Sequence, residues 1–164
     1  MKRAILPYAL PLFLTACISY VHRQQEVQDA MQHYDQLIKK MDADSIALLY
    51  TADGDLGGIA HGRDSIRRFL SSFKNVRVLE VTSNTDSLAM TDDTAFQSGH
   101  YKQSGVIDEK DTFHVSGSYH AQWVWIKKEG GWRIKKMSTQ PDQPRLTPPD
   151  NQPKPTPPDN QPKS

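Results

Sequence analysis

Cys17 is the only cysteine among 164 residues. A lone thiol can form no disulfide within the chain and no cysteine-based zinc site. The histidines give no metal site either. His114 and His120 share one face of an expected strand, but six residues at about 3.3 Å each put them about 20 Å apart. That is far too long to chelate one ion, and both are expected on the solvated face. His61 and His100 have no partner that the sequence can place. Asp92-Asp93 and Asp108-Glu109 with Asp111 are turn acids, without the Asp-x-Asp-x-Asp-Gly spacing of a calcium loop. Asp53 and Asp55 fit turn and capping chemistry. No Gly-rich phosphate cradle and no Ser/His/Asp arrangement can be assembled, so no metal and no cofactor is expected. A net charge of +1 supplies no basic field to attract nucleic acid.

The elements that must carry these residues fall into three parts. All 11 prolines lie at positions 7, 11 or beyond 140, and all 9 glycines lie between Gly54 and Gly131. A head, a proline-free middle and a glycine-free tail result. Met1-Lys2-Arg3 is basic, and Ala4 to Ala16 is uncharged. Thirteen residues are too few to span a bilayer as a helix, which needs about 20; the pattern reads as a secretory signal. Pro7 and Pro11 interrupt its apolar stretch. The run ends Leu14-Thr15-Ala16-Cys17, which resembles the lipobox of bacterial lipoproteins. The resemblance implies cleavage before Cys17 and acylation there, with residues 1–16 as signal peptide and 17–24 as a short tether. Two or more acyl chains give stable anchoring where one gives reversible binding. Loss of Lys2 and Arg3 takes the formal charge from +1 to −1. Ile18, rather than aspartate, follows the cysteine; by the same resemblance this favours the outer membrane, facing the periplasm, if the source has two membranes.

The middle, residues 25–140, is long enough to bury a core. Val27, Ala30, Met31, Tyr34, Leu37, Ile38 and Met41 follow helical periodicity from about Gln25, with Gln28, Gln32, Asp35 and Lys39 on the other face. Asp42 or Asp44 caps a second helix, Ser45 to Tyr50. A turn-rich stretch over Asp53-Gly54-Asp55 and Gly57-Gly58 precedes a third helix, Ser65 to Phe73. Strands are then expected at 76–90, 94–107, 112–127 and 132–140, joined by hairpin turns. In the third, Phe113, Val115, Gly117, Tyr119, Ala121, Trp123 and Trp125 should face the helices. Gly130-Gly131 should form a tight turn with both φ positive. After it, Trp132, Ile134 and Lys136 share one face and Arg133, Lys135 and Met137 the other. Trp132 and Ile134 should point inward, near Met31, Tyr34 or Ile38. Helices first, then an antiparallel sheet, is an α+β layout.

The run from Glu26 to Leu70, with Tyr34 on the first helix, Ala52-Asp53, and His61-Gly62-Arg63-Asp64 opening the third, resembles the nuclear-transport-factor-like superfamily. It is nearest the ketosteroid-isomerase and SnoaL-like branch, and Gly131-Trp132-Arg133-Ile134 matches the closing hairpin. The resemblance spans about Glu26 to Gln140. It implies a cone-shaped fold: a curved, mixed but mainly antiparallel sheet around three helices, with a pocket between, and often a homodimer through the outer sheet face. In the isomerases a tyrosine on the first helix stabilises an oxyanion, and Tyr34 matches it. The general base would fall at Gly58 and a second acid near Ala121. Neither can move a proton, so no catalytic residue is assigned; Asp53 or Asp55 could take the base role only in a shifted register. What remains is a pocket walled by Tyr34, Tyr101, Tyr119 and Trp123, apolar bodies with polar tips.

Thr147 to Pro155 and Thr156 to Ser164 are a nine-residue tandem repeat, identical at eight positions. With almost nothing apolar to bury, residues 141–164 should be disordered with polyproline character, the eighteen residues of the repeat forming a spacer that reaches roughly 55 Å. The expectation is a lipid-anchored envelope protein whose pocket binds a small apolar or amphipathic ligand, or a protein partner, without catalysis. A structural lipoprotein using the outer sheet face and tail is one alternative. The other is an isomerase or cyclase with a relocated base.

Overall fold

No proline or glycine interrupts the chain between Leu12 and Lys40, and one continuous helix, α1 (Leu12–Lys40), occupies all of it. It begins well before Gln25, so the stretch expected as a tether is helical. A computed structural model describes residues 12–142, with side chains from Arg23 onward. The head up to Pro11, the side chain of Cys17 and the tandem repeat lie outside the described residues. At the other end of α1, Met41 adopts φ 51°. Its N–H meets the Ile38 carbonyl at 3.0 Å and that of Asp42 meets Leu37 at 3.2 Å, the paired bonds that close a helix through a left-handed residue. Asp42 then accepts from the Ser45 N–H at 3.0 Å and caps α2 (Ala43–Leu48); the Ser45 hydroxyl first, and this N–H second, hold its carboxyl below the usual range. α3 (Arg63–Ser71) buries Ile66 and Leu70.

The stretch between α2 and α3, expected as turns, contains two strands: β1 (Tyr50–Leu56) and β2 (Ala60–His61). Gly57 and Gly58, at φ 60° and 72°, make the reversal between them. β3 (Val76–Met90), β4 (Thr94–Ile107), β5 (Asp111–Ile126) and β6 (Gly131–Pro141) follow as an antiparallel meander. The sheet order is β2-β1-β6-β5-β4-β3, with β1 parallel to β6. This is the α+β cone expected, an open curved sheet with the helices against its inner face. β6 runs one residue beyond the expected end, and Asp142 still bonds Ser116 through its N–H, at 2.7 Å.

Curvature has visible sources. Gly99 and Gly105 lie on the inner face of β4, each paired across the ladder with an aromatic of β5, Tyr119 and Phe113. A Cβ on Gly105 would meet two Phe113 ring carbons at 2.6 and 2.7 Å, and one on Gly99 would meet a Tyr119 ring carbon at 2.9 Å. The rings cover the places the glycines leave empty. In β6, Ile134 pairs with Trp123 and Lys136 with Gln122, so Lys135 is an extra, bulged residue. The bulge corrects the expected parity. Trp132 (4% exposed) and Ile134 (0%) do point inward, but Met137 (2%) joins them and Lys136 turns out. Trp132 also sits nearer the start of α1 than expected: its Nε1 donates to Glu26 at 3.2 Å and the Arg23 guanidinium lies 5.6 Å from its ring centre. In the β5–β6 turn only Gly130 has positive φ. The turn is tied to α3 by Glu129, which accepts from Arg133 at 2.7 Å and Arg63 at 3.2 Å.

Candidate functional site

Between α1 and the inner face of the sheet lies a cavity of about 210 Å³. Met31, Tyr34, Asp35 and Ile38 form its α1 wall, at the i, i+3, i+4, i+7 spacing of one helix face. The sheet contributes residues from β3 to β6, among them Tyr101, Phe113, Val115, Tyr119 and Met137. Three of the four expected wall residues, Tyr34, Tyr101 and Tyr119, therefore meet at one cavity. Trp123 does not. It is fully buried farther along β5, where the core closes.

Trp123 instead anchors a polar chain that reaches the cavity. Its Nε1, which can only donate, gives a hydrogen bond to Gln97 Oε1 at 2.9 Å. That sets the orientation of the Gln97 amide, whose Nε2 donates to Thr85 Oγ1 at 2.8 Å. The Thr85 and Tyr119 hydroxyls are 3.3 Å apart. Gln97, 2% exposed, is thus satisfied at both ends, and Tyr119 is held in place from behind.

Asp35 is the residue that sequence reading missed. As an acid it was expected on the solvated side of the helix, yet it falls inside the apolar stripe, four residues after Met31 and three before Ile38. That spacing was the available signal. Its Oδ2 accepts from the Ser83 N–H at 2.8 Å and its Oδ1 from the Ser83 hydroxyl at 2.7 Å. Burial raises its carboxyl above the ordinary value, against the opposing pull of the two Ser83 bonds. Burial likewise raises the phenols of Tyr34, Tyr101 and Tyr119. Behind Tyr34 its ring meets Tyr50 edge to face, centres 6.5 Å apart. Burial raises the Tyr50 phenol well above its ordinary value, and the neighbouring Tyr34 hydroxyl adds to the rise.

The positions where isomerase acids would fall carry no acid. Gly58 is in the β1–β2 turn, and Ala121 is buried on β5. Asp53 faces away, held by Thr51 at 2.9 Å and by Lys135; the Lys135 bond lowers its carboxyl. Asp55 caps the turn by accepting from the Gly58 N–H at 2.7 Å. Neither lines the cavity. His114 and His120 lie on the exposed outer face. Among the described residues no group of three or more His, Cys, Asp or Glu side chains is close enough to hold a metal ion, and no helix is long and apolar enough to cross a membrane.

The family model of the SnoaL-like domain matches residues 19–138. No curated protein matches by sequence. Solved structures match in fold. An NTF2-like protein with a cystatin-like fold from Novosphingobium aromaticivorans superposes with TM-score 0.68 at 14% identity, over 85% of this chain and 95% of that one. A ketosteroid isomerase-like protein from Erwinia carotovora atroseptica gives 0.64 at 16%, over 73% and 96%. ActVI-ORFA from Streptomyces coelicolor gives 0.62 at 19%, over 74% and 98%.

Proposed function

The chain belongs to the SnoaL-like domain family, and on that premise we propose that it is a lipid-anchored pocket domain, held at the envelope through Cys17, that binds a small amphipathic ligand. One observation carries the binding reading: a cavity with apolar walls and a few polar groups, Asp35 and the tyrosine hydroxyls, converging at one place. At about 210 Å³ it is smaller than the roughly 300–1,000 Å³ of drug-sized sites, so the ligand is compact. Val115 lies on its rim at 38% exposure, where a larger side chain can block the opening without disturbing the core. Titration of the full chain with 2-naphthol, followed by NMR, should shift the signals of Met31, Met137 and Tyr119. Val115→Trp should weaken that binding at least tenfold. Shifts confined to the outer sheet face, or equal binding by the variant, would overturn the reading.

Anchoring rests on Leu14-Thr15-Ala16-Cys17 at the end of the uncharged run. Cys17→Ser should abolish acylation, leave the signal uncleaved by the lipoprotein peptidase, and release the domain from acyl-mediated anchoring. Mass spectrometry of the membrane fraction checks this; a mature chain with unmodified Cys17 would refute it. If the source has two membranes, the outer one is the proposed location, since Ile18 stands where an inner-membrane aspartate would.

A second reading has its own observation. Asp35 is an inward carboxylate whose acidity burial has weakened, beside Tyr34 on the same wall, and a relocated base would have those properties. Its signature is deuterium exchange at an acidic C–H of a bound carbonyl compound, lost in Asp35→Asn.

A further inference from the structure

We propose that the cavity is a site for a small organic cation, an ammonium ligand with an apolar body, seated between the Asp35 carboxylate and the surrounding aromatic rings. The inference rests on the ligand-pocket reading above and names the ligand's chemical class.

The Asp35 carboxylate is on the cavity wall, and its two oxygens accept from Ser83. Those are neutral donors. No lysine, arginine or histidine lines the cavity, and among the described residues none pairs with Asp35. A partly buried carboxylate without a counter-charge is an unfavourable arrangement, and a bound neutral molecule would dry it further without compensating it. A ligand carrying one positive charge removes the mismatch.

The rest of the wall fits the same ligand. Tyr34, Tyr101, Phe113 and Tyr119 surround the space, and aromatic faces attract ammonium groups, more strongly where water is excluded. Met31 and Met137 add polarisable thioethers. Ring positions are held from outside the cavity: Phe113 and Tyr119 lie over inner-face glycines, and Tyr119 is backed by Thr85, Gln97 and Trp123. The wall is thus preorganised, which favours affinity for a compact ligand.

Choline and its neutral isostere 3,3-dimethyl-1-butanol separate charge from shape. Calorimetric or NMR titration of the full chain should show choline binding at least tenfold more tightly than the alcohol. Asp35→Asn is the matched variant. Its amide oxygen can accept from the Ser83 N–H and its Nδ2 can donate to the Ser83 hydroxyl oxygen, so both bonds persist and the fold is retained. In it the preference for choline should vanish, leaving the two ligands with similar affinities. Equal affinities in the parent chain, or a preference that survives Asp35→Asn, would overturn the proposal. Absence of choline binding at millimolar concentration overturns it as well. The 2-naphthol titration then tells the two readings apart: if naphthol binds, only the cation proposal falls; if it does not, the pocket reading falls too.

Discussion

Gly99→Ala should destabilise the domain by about 3 kcal/mol, the upper range for forcing an extra carbon into a packed interior. The added Cβ would lie 1.9 Å from the backbone oxygen of Asn84 and 2.9 Å from a Tyr119 ring carbon. The first neighbour is main chain of the adjacent strand and cannot swing aside. The second can move only by leaving the cavity wall, so ligand binding should weaken along with stability. Gly58→Ala is the control. Gly58 has φ 72° but open space around it, so alanine there meets only the left-handed backbone penalty of about 1–2 kcal/mol. Urea melts should rank Gly99→Ala well below Gly58→Ala. The reverse order would mean that close strand approach is not what glycine provides at position 99.

Trp132→Ala should lose about 3–5 kcal/mol, a large share of the roughly 5–15 kcal/mol that holds a domain of this kind together. Trp132 is 4% exposed, meets Trp125 edge to face at 5.6 Å and donates to Glu26. Its loss opens a void and removes the link between β6 and the middle of α1. The neighbouring Arg133 bonds Glu129 and the Trp132 carbonyl at the surface, and Arg133→Ala should stay below about 1 kcal/mol. Denaturant melts of the pair test the inward orientation directly. If Arg133→Ala proved the more damaging change, the facing of β6 before its bulge would be the opposite of that described.

The long strands were legible because alternation and turn residues agree from Val76 to Pro141, and β3 to β6 fall within a residue or so of the expected bounds. The inner face of β5 was legible for the same reason. Lys135 was not, since strict alternation holds only until a bulge, and nothing in Arg133-Ile134-Lys135-Lys136 marks one. β1 and β2 hid behind Asp53-Gly54-Asp55 and Gly57-Gly58, whose residue types signal turns while a neighbouring strand supplies the pairing. At the site, residue type misled twice. Trp123 has the amphipathic body of a wall residue, but its position on β5 places it in the core. Asp35 has the charge of a solvated residue, but its position on α1 places it in the cavity. In both cases geometry along the element outweighed chemistry of the side chain.

The parallel pairing of β1 with β6 also has a consequence in time. β3, β4, β5 and β6 can assemble hairpin by hairpin, each strand meeting a neighbour just made. β1 cannot: Tyr50 pairs with Ile134, the Gly57 N–H donates to the Met137 carbonyl at 2.7 Å, and the Ile134 N–H donates to Leu49 at 2.8 Å. Such distant contacts close late, because the loop entropy must be met before they contribute. As the polypeptide is synthesised from its N-terminus, α2, β1 and α3 are made well before β6 yet must wait for it as their docking edge. Through that interval Tyr50 and Ile46 stay unshielded, and a segment born early is the one most in need of protection from other chains.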